Sequence, residues 1–252
     1  MEIDVVIPSY NDIRVLEALE SIYSADLRGV ELTVILQVGN SNAQIVDLIK
    51  RRFPMAEVCV DPDENIFDAI NLGLNKCHGD YVLTIGSDDR ISEPAIFQRV
   101  KAMKENAIDF FFVGLEYTSE SWVPLRRWPA REISRRDYRL GRQYAHFGFF
   151  CKPAIYREIG FFNANNSVNA DYEFFWQLAK YSELRSCRQG KVKEYCVQMK
   201  IGGNSSSGVI SILSHNFRIL KFALREAPTL IPGILIFKWF YKAAEYIRSK
   251  RL

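Results

Sequence analysis

Through its first 115 residues the chain alternates short runs that are apolar on both faces with segments whose apolar residues recur at helical spacing. The runs occupy residues 3–8, 32–36, 58–60, 81–85 and 110–113. Between them, Leu16, Leu19, Ile22 and Tyr23 keep a helical period, as do Ile45, Leu48 and Ile49, and then Ala69, Ile70, Gly73, Leu74 and Cys77. A strand that buries both faces belongs inside a sheet covered on both sides, and strands separated by helices run parallel. The spacing therefore predicts an α/β fold around a mostly parallel sheet flanked by helices. Ligands of such sheets bind beyond the carboxyl ends of the strands. Three polar, small-residue segments fall at those ends: Pro8-Ser-Tyr-Asn11, residues 37–40, and Gly86-Ser-Asp-Asp89.

The same pattern excludes several classes. No Gly-x-Gly-x-x-Gly follows the first strand and no Gly-Lys-Ser/Thr occurs, which argues against dinucleotide and P-loop enzymes. A nucleotidyltransferase would need a Gly-rich basic loop where this chain has Ser9-Tyr-Asn-Asp12. The five cysteines are odd in number and lack Cys-x-x-Cys spacing, so a reducing, cytoplasmic setting is expected rather than zinc or disulfides. Residues 3–8 read as a strand, not a leader. The net charge of +3 divides unevenly. Residues 216–252 carry eight Lys/Arg against Glu226 and Glu245, leaving 25 basic against 28 acidic residues elsewhere. A nucleic-acid binder would carry its basic excess on the main domain, so no nucleic-acid partner is expected.

The fourth strand delivers two adjacent carboxylates, Asp88 and Asp89, on a Gly-Ser turn. Carboxylates on so rigid a mount can hold a hard divalent cation, and the cation a diphosphate; the plainer reading is a solvated turn before the helix near Pro94. Residues 126–142 hold seven arginines with little periodicity. A compact block follows over 146–207, in which Asp171 precedes a stripe of Tyr172, Phe175, Trp176 and Ala179 and could serve as an N-cap. Residues 208–252 read as an amphipathic helical tail broken near Pro228 and Pro232, with Ile236, Phe237, Phe240, Tyr241, Ala244 and Ile247 on one face. That face can pack on the domain or lie peripherally on an anionic membrane surface, and no apolar run is long enough to span a bilayer.

With these pieces in order, residues 2–207 resemble the family 2 glycosyltransferases of the GT-A fold, in a subgroup that builds polysaccharide or lipopolysaccharide. The carriers are Val5-Val-Ile-Pro-Ser-Tyr-Asn11, Asp61-Pro-Asp-Glu-Asn-Ile-Phe-Asp-Ala-Ile-Asn-Leu-Gly73, Gly79-Asp-Tyr with Gly86-Ser-Asp-Asp89, the stretch from His146 to Phe162, Asn169-Ala-Asp-Tyr-Glu-Phe174, and Gly202-Gly-Asn-Ser-Ser206.

The resemblance implies a nucleotide-binding half over about 1–115, an acceptor half over about 116–207, and inverting transfer of a hexosyl unit from a nucleotide-sugar, expected to be a UDP-sugar. The acceptor implied is a glycan or a lipid-linked glycan. It implies Asp171 as the base, Asp88 and Asp89 at a Mg²⁺ or Mn²⁺ ion, and Pro8, Ser9, Tyr10, Gln37, Asp68, Asn71, Ser87 and Asp88 around the donor. His146, Tyr172 and Glu173 fall on the acceptor side. Departures accompany the match. Gly86 replaces the usual first Asp of the metal motif, Gln37 replaces an acidic residue beside the base, and Asn65 stands at a usual Gly, a place suited to left-handed backbone. Lost acidic positions also fit a non-catalytic nucleotide-sugar-binding or scaffold protein, the alternative expectation.

Overall fold

The structure, a computed structural model, describes residues 1–140, 142–166, 169–201 and 209–232, the stretch 209–216 as backbone only. The Gly202–Ser206 motif and the apolar face from Ile236 to Ile247 lie outside the described residues.

All five expected strands form: β1 (Glu2–Pro8), β2 (Glu31–Gln37), β3 (Glu57–Cys59), β4 (Tyr81–Thr84) and, numbered in chain order, β6 (Phe110–Thr118). Four more were not expected as strands: β5 (Arg90–Ile91), β7 (Pro124–Trp128), β8 (Phe149–Cys151) and β9 (Gln189–Lys200). They join one sheet of order β3-β2-β1-β4-β8-β6-β9-β5, with β7 paired to β6. β1 pairs in parallel with β2 and β4, and β2 with β3. β8 is antiparallel to both β4 and β6, while β9 runs parallel to β6. β5 and β7 are antiparallel to β9 and β6. Of the eight pairings among the described residues, four are parallel and four antiparallel, so the sheet is mixed: the run β3-β2-β1-β4 is parallel, as the spacing predicts, and every antiparallel pairing involves β5, β7 or β8.

Alternation along the central strands feeds two cores. Ile3, Val5 and Ile7 with Tyr81, Leu83, Phe111 and Val113 face α1 (Val15–Tyr23), α2 (Ala43–Arg52) and α4 (Ile96–Glu105). Val6, Val82, Phe110 and Phe112 face α3 (Ile66–Asn75), α6 (Pro153–Ile159), α7 (Ala170–Arg185) and α8 (Val209–Glu226). A fully buried Phe or Leu contributes about 2–3 kcal/mol, so both faces are strongly held. The stripe expected on α7 is buried as read, and Ile219, Phe222 and Ala223 bring α8 into the same core. Among the described residues no helix is long and apolar enough to cross a membrane.

Two local expectations need correction. The arginine-rich stretch is ordered rather than patternless: its start completes β7, and residues Arg135–Arg139 form the short helix α5. Arg127 pairs with Glu116 of β6 at 3.0 Å and Arg135 with Glu183 of α7 at 3.4 Å, while Arg142 pairs with Asp137 inside the run at 2.5 Å, and these pairs pin it. Asn65 is not left-handed. Its φ of −167° is extended, and its Oδ1 caps α3 by accepting from the N–H groups of Phe67 and Asp68.

Candidate active site

The loops after β1, β2 and β4 meet because their strands are neighbours. Ser9 N–H donates to Gln37 O at 2.8 Å, which carries the register one residue beyond β1. Asn11, left-handed at φ 51°, donates its N–H to Ser41 Oγ and accepts from Asn42 N–H, so the two loops are stitched together. Pro8 and Ser9 are buried there, and Tyr10 stands out, 69% exposed.

Asp12 and Arg14 extend this cluster. Burial works against ionisation of Asp12, yet hydrogen bonds from Arg14 and Ser87 outweigh it and hold the carboxyl below its usual range. Ser87 Oγ donates to Asp12 Oδ2 at 2.8 Å, and Arg14 Nη1 lies 3.4 Å from Asp88 Oδ2. Asp88 keeps 28% of its side chain exposed, whereas Asp89 is 3% exposed. Burial first, then the charge of Asp88, pushes the Asp89 carboxyl up to about 8, against a hydrogen bond from Gly86 N–H. Gly86 is required by this packing, since a Cβ there would lie 2.6 Å from Asp89 Oδ2.

Among the described residues no group of three or more His, Cys, Asp and Glu side chains has metal-ligand arrangement. The donor set fits a cation held chiefly by its substrate: one exposed carboxylate from Asp88, with Asp89 behind it as a charge-coupled neighbour.

Gln37 closes the β2 end. It is fully buried, donates Nε2 to Asp61 O at 2.7 Å, and leaves Oε1 without a partner. Asp63, which the sequence reading did not single out, packs over Gly39. That glycine has φ +50°, and a Cβ on it would lie 2.4 Å from Asp63 Oδ2. Burial, then the charge of Asp68, raises the Asp63 carboxyl. Asp68 Oδ2 accepts from Glu64 N–H at 3.0 Å. Asn71 is committed to the fold: Nδ2 donates to Phe162 O at 2.7 Å, and Oδ1 accepts from Phe162 N–H at 3.0 Å.

Of the residues expected on the acceptor side, His146 comes to the same end of the sheet. Thr84, the last residue of β4, donates Oγ1 to His146 O at 3.2 Å, and His146 Nδ1 stands 3.9 Å from Asp171 Oδ2. Asp88 thus follows β4 on its own loop, and Asp171 is linked to the carboxyl end of β4 through His146. The His146 ring packs against Phe67, Phe147 and Phe162, and burial lowers its pKa to about 4, so it is neutral at pH 7. Its Nε2 is buried without a partner.

Asp171 is not the helix cap. Asn169 holds that position, and Asp171 sits in the first turn, with Oδ1 accepting from Tyr172 N–H at 2.7 Å. Glu173 is tied to Asn163 Nδ2 at 2.9 Å and Asn166 Nδ2 at 2.5 Å, which steady the turn before α7. Tyr172 departs from its expected place on the acceptor side. It is 4% exposed, between Tyr138 and Phe222, because α7 turns that position into the core. Sequence reasoning also passed over Asp12 and Arg14, whose signal was a charged pair two residues apart just after the Pro8–Asn11 motif.

Comparison with known proteins matches this geometry to a family. Residues 4–163 match the family model Glycosyl transferase family 2. The chain is 26% identical over 187 residues to the "Uncharacterized glycosyltransferase YwdF" of Bacillus subtilis, covering 71% of this chain and 69% of that protein. It is 27% identical over 178 residues to a "PGL/p-HBAD biosynthesis glycosyltransferase" of Mycobacterium bovis, covering 68% and 66%. Among solved structures, S. aureus TarS 1-349 in complex with UDP-GlcNAc superposes with TM-score 0.61 at 18% identity, over 93% of this chain and 72% of that one. The mannosyltransferase PcManGT from Pyrobaculum calidifontis, in complex with GDP-Man and Mn2+, gives TM-score 0.61 at 15% identity, over 94% and 69%. These likenesses show the GT-A-like fold. With the family model spanning well over half its length, the chain belongs to family 2 of the glycosyltransferases.

Proposed function

We propose that this glycosyltransferase moves a sugar, with inversion, from a UDP-sugar to a hydroxyl of a glycan or lipid-linked acceptor during assembly of a cell-surface polysaccharide or lipopolysaccharide. One observation carries the reading: partly exposed Asp88 lies on the loop that follows β4, and the Asp171–His146 pair is tied through the His146 carbonyl to Thr84, the last residue of β4, where a sheet of this kind binds its ligand.

Asp171 takes the proton of the acceptor hydroxyl. Tyr172 N–H fixes Oδ1, and Oδ2 faces a histidine that carries no charge at pH 7. The oxygen then attacks the anomeric carbon on the face opposite the departing diphosphate, and a single displacement inverts the configuration. A Mg²⁺ or Mn²⁺ ion held by Asp88 would supply Lewis-acid charge to the leaving phosphate. Ser9, Tyr10, Asp68 and Ser87 line the donor side. At Gln37, Nε2 is taken by Asp61 O, so the free Oε1 is an acceptor suited to a base imide N–H.

The UDP-GlcNAc of TarS and the GDP-Man and Mn2+ of PcManGT support a nucleotide-sugar and a divalent cation by likeness of fold. The mycobacterial relatives are named as glycosyltransferases of PGL/p-HBAD biosynthesis, which supports a biosynthetic transfer. The excess of basic residues over 216–252 suits a peripheral position on the anionic inner face of the cytoplasmic membrane.

The test is release of UDP from a panel of UDP-sugars with Mn²⁺. Asp88→Ala and Asp171→Asn should each lower kcat/KM by about a hundredfold or more. Wild-type rates in both variants would defeat the assignment.

A further inference from the structure

Arg14 has no task in the scheme so far. It directly precedes α1, where its side chain caps nothing, and its guanidinium grips Asp12 with two prongs, Nε to Oδ1 at 2.8 Å and Nη2 to Oδ2 at 2.9 Å. Its remaining nitrogen, Nη1, reaches 3.4 Å from Asp88 Oδ2. Ser87 Oγ closes the ring onto Asp12 Oδ2 at 2.8 Å. The carboxylate best placed for a divalent ion therefore already has a positive group beside it. That group is moored by a second carboxylate, and it spans the loops of two adjacent parallel strands.

Resting on the assignment of Asp88 as the cation-binding carboxylate, we propose that Arg14 is a resident counter-ion. It holds Asp88 in the donor-free protein and gives way when a divalent cation arrives. Still moored to Asp12, it then offers the Nη1 released from Asp88 to the diphosphate of the incoming donor. Three features support this. Asp12 and Asp88 both approach one guanidinium, at 2.8 Å and 3.4 Å, and Arg14 is the cation shown in contact with both carboxylates. The two-pronged grip on Asp12 keeps the guanidinium at the loop junction whichever partner Nη1 holds. A guanidinium and a divalent ion on one carboxylate repel, so binding of the ion frees Nη1 where the leaving phosphate gathers charge.

The test is a calorimetric titration with Mn²⁺ alone, then with UDP at saturating Mn²⁺, on wild type, Arg14→Ala and Arg14→Lys, with melting temperatures confirming the fold. Arg14→Ala should bind Mn²⁺ alone about fivefold more tightly, because a competing partly exposed ion pair is gone. It should bind UDP about tenfold more weakly, having lost a charged phosphate contact. Arg14→Lys keeps the charge and should stay near wild type in Mn²⁺ binding. Equal or weaker Mn²⁺ binding by Arg14→Ala, or unchanged UDP binding, overturns the counter-ion role. If the enzyme still loses activity in Asp88→Ala, the proposed reaction survives that result. Equal Mn²⁺ binding by wild type and Asp88→Ala would instead remove the Asp88 assignment and both readings with it.

Discussion

Asp88 keeps 28% of its side chain in solvent while Asp89, the next residue, is buried behind Gly86 with its carboxyl raised to about 8. Their adjacency was plain in the sequence, but the difference between them was not, because burial depends on how the β4 turn packs. The difference has a pH consequence. A carboxyl raised in the folded state holds its proton there after the unfolded chain, near pH 4, has lost it. Stability from this group is therefore full below about pH 4 and falls as pH rises toward about 8. Asp89→Asn mimics the neutral form and should remove that fall. Melting at pH 5.5 and 8.5 should show the variant gaining on wild type at the higher pH, and a parallel pH profile for both proteins would refute it. Asp171 and His146 were legible as candidates, and the structure brings them within 3.9 Å, though the neutral state of His146 was not legible, since it follows from the Phe67, Phe147 and Phe162 rings around it. Arg14 escaped notice because its meaning lies in a partner, Asp88, more than seventy positions away.

At the scale of elements, the five strands read from the sequence are those whose residues are apolar on both faces. The four that went unread fail that pattern for physical reasons. β5 and β8 have two and three residues. β7 lies outside the main strand path and carries Arg126 and Arg127, and β9 exposes Lys191, Lys193 and Glu194 on a strand otherwise held by Val192, Cys196 and Val197. Helix α3 was legible, yet its closeness to the sheet was not. A Cβ on Gly73 would lie 2.4 Å from Val6 Cγ1. Gly73→Ala sets a helix-propensity gain of about 1 kcal/mol against an overpacking cost of about 1–3 kcal/mol. Packing should win, lowering the urea midpoint at constant m-value. A rise in midpoint would show that α3 can move away from β1 at little cost.

For the molecule as a whole, the sheet belongs to both cores at once: Val5 serves one face and Val6 the other, as do Phe111 and Phe112. Neither core can dissolve without exposing the back of the other. Despite the length of 252 residues, urea unfolding should give one transition, with tryptophan fluorescence and far-ultraviolet dichroism coincident. Two separated midpoints would mean that the halves melt independently.

On one face of the sheet, a pair of asparagines joins the two ends of the proposed reaction. Asn71 clasps the Phe162 backbone from both sides, and Asn65 Nδ2 holds Ala164 O at 3.2 Å, just upstream of α7. These clasps act as a spacer between the proposed donor loops and the proposed base, Asp171. Changing the length of residues 160–166 is thus the alteration best suited to choosing a different acceptor hydroxyl while leaving nucleotide preference intact.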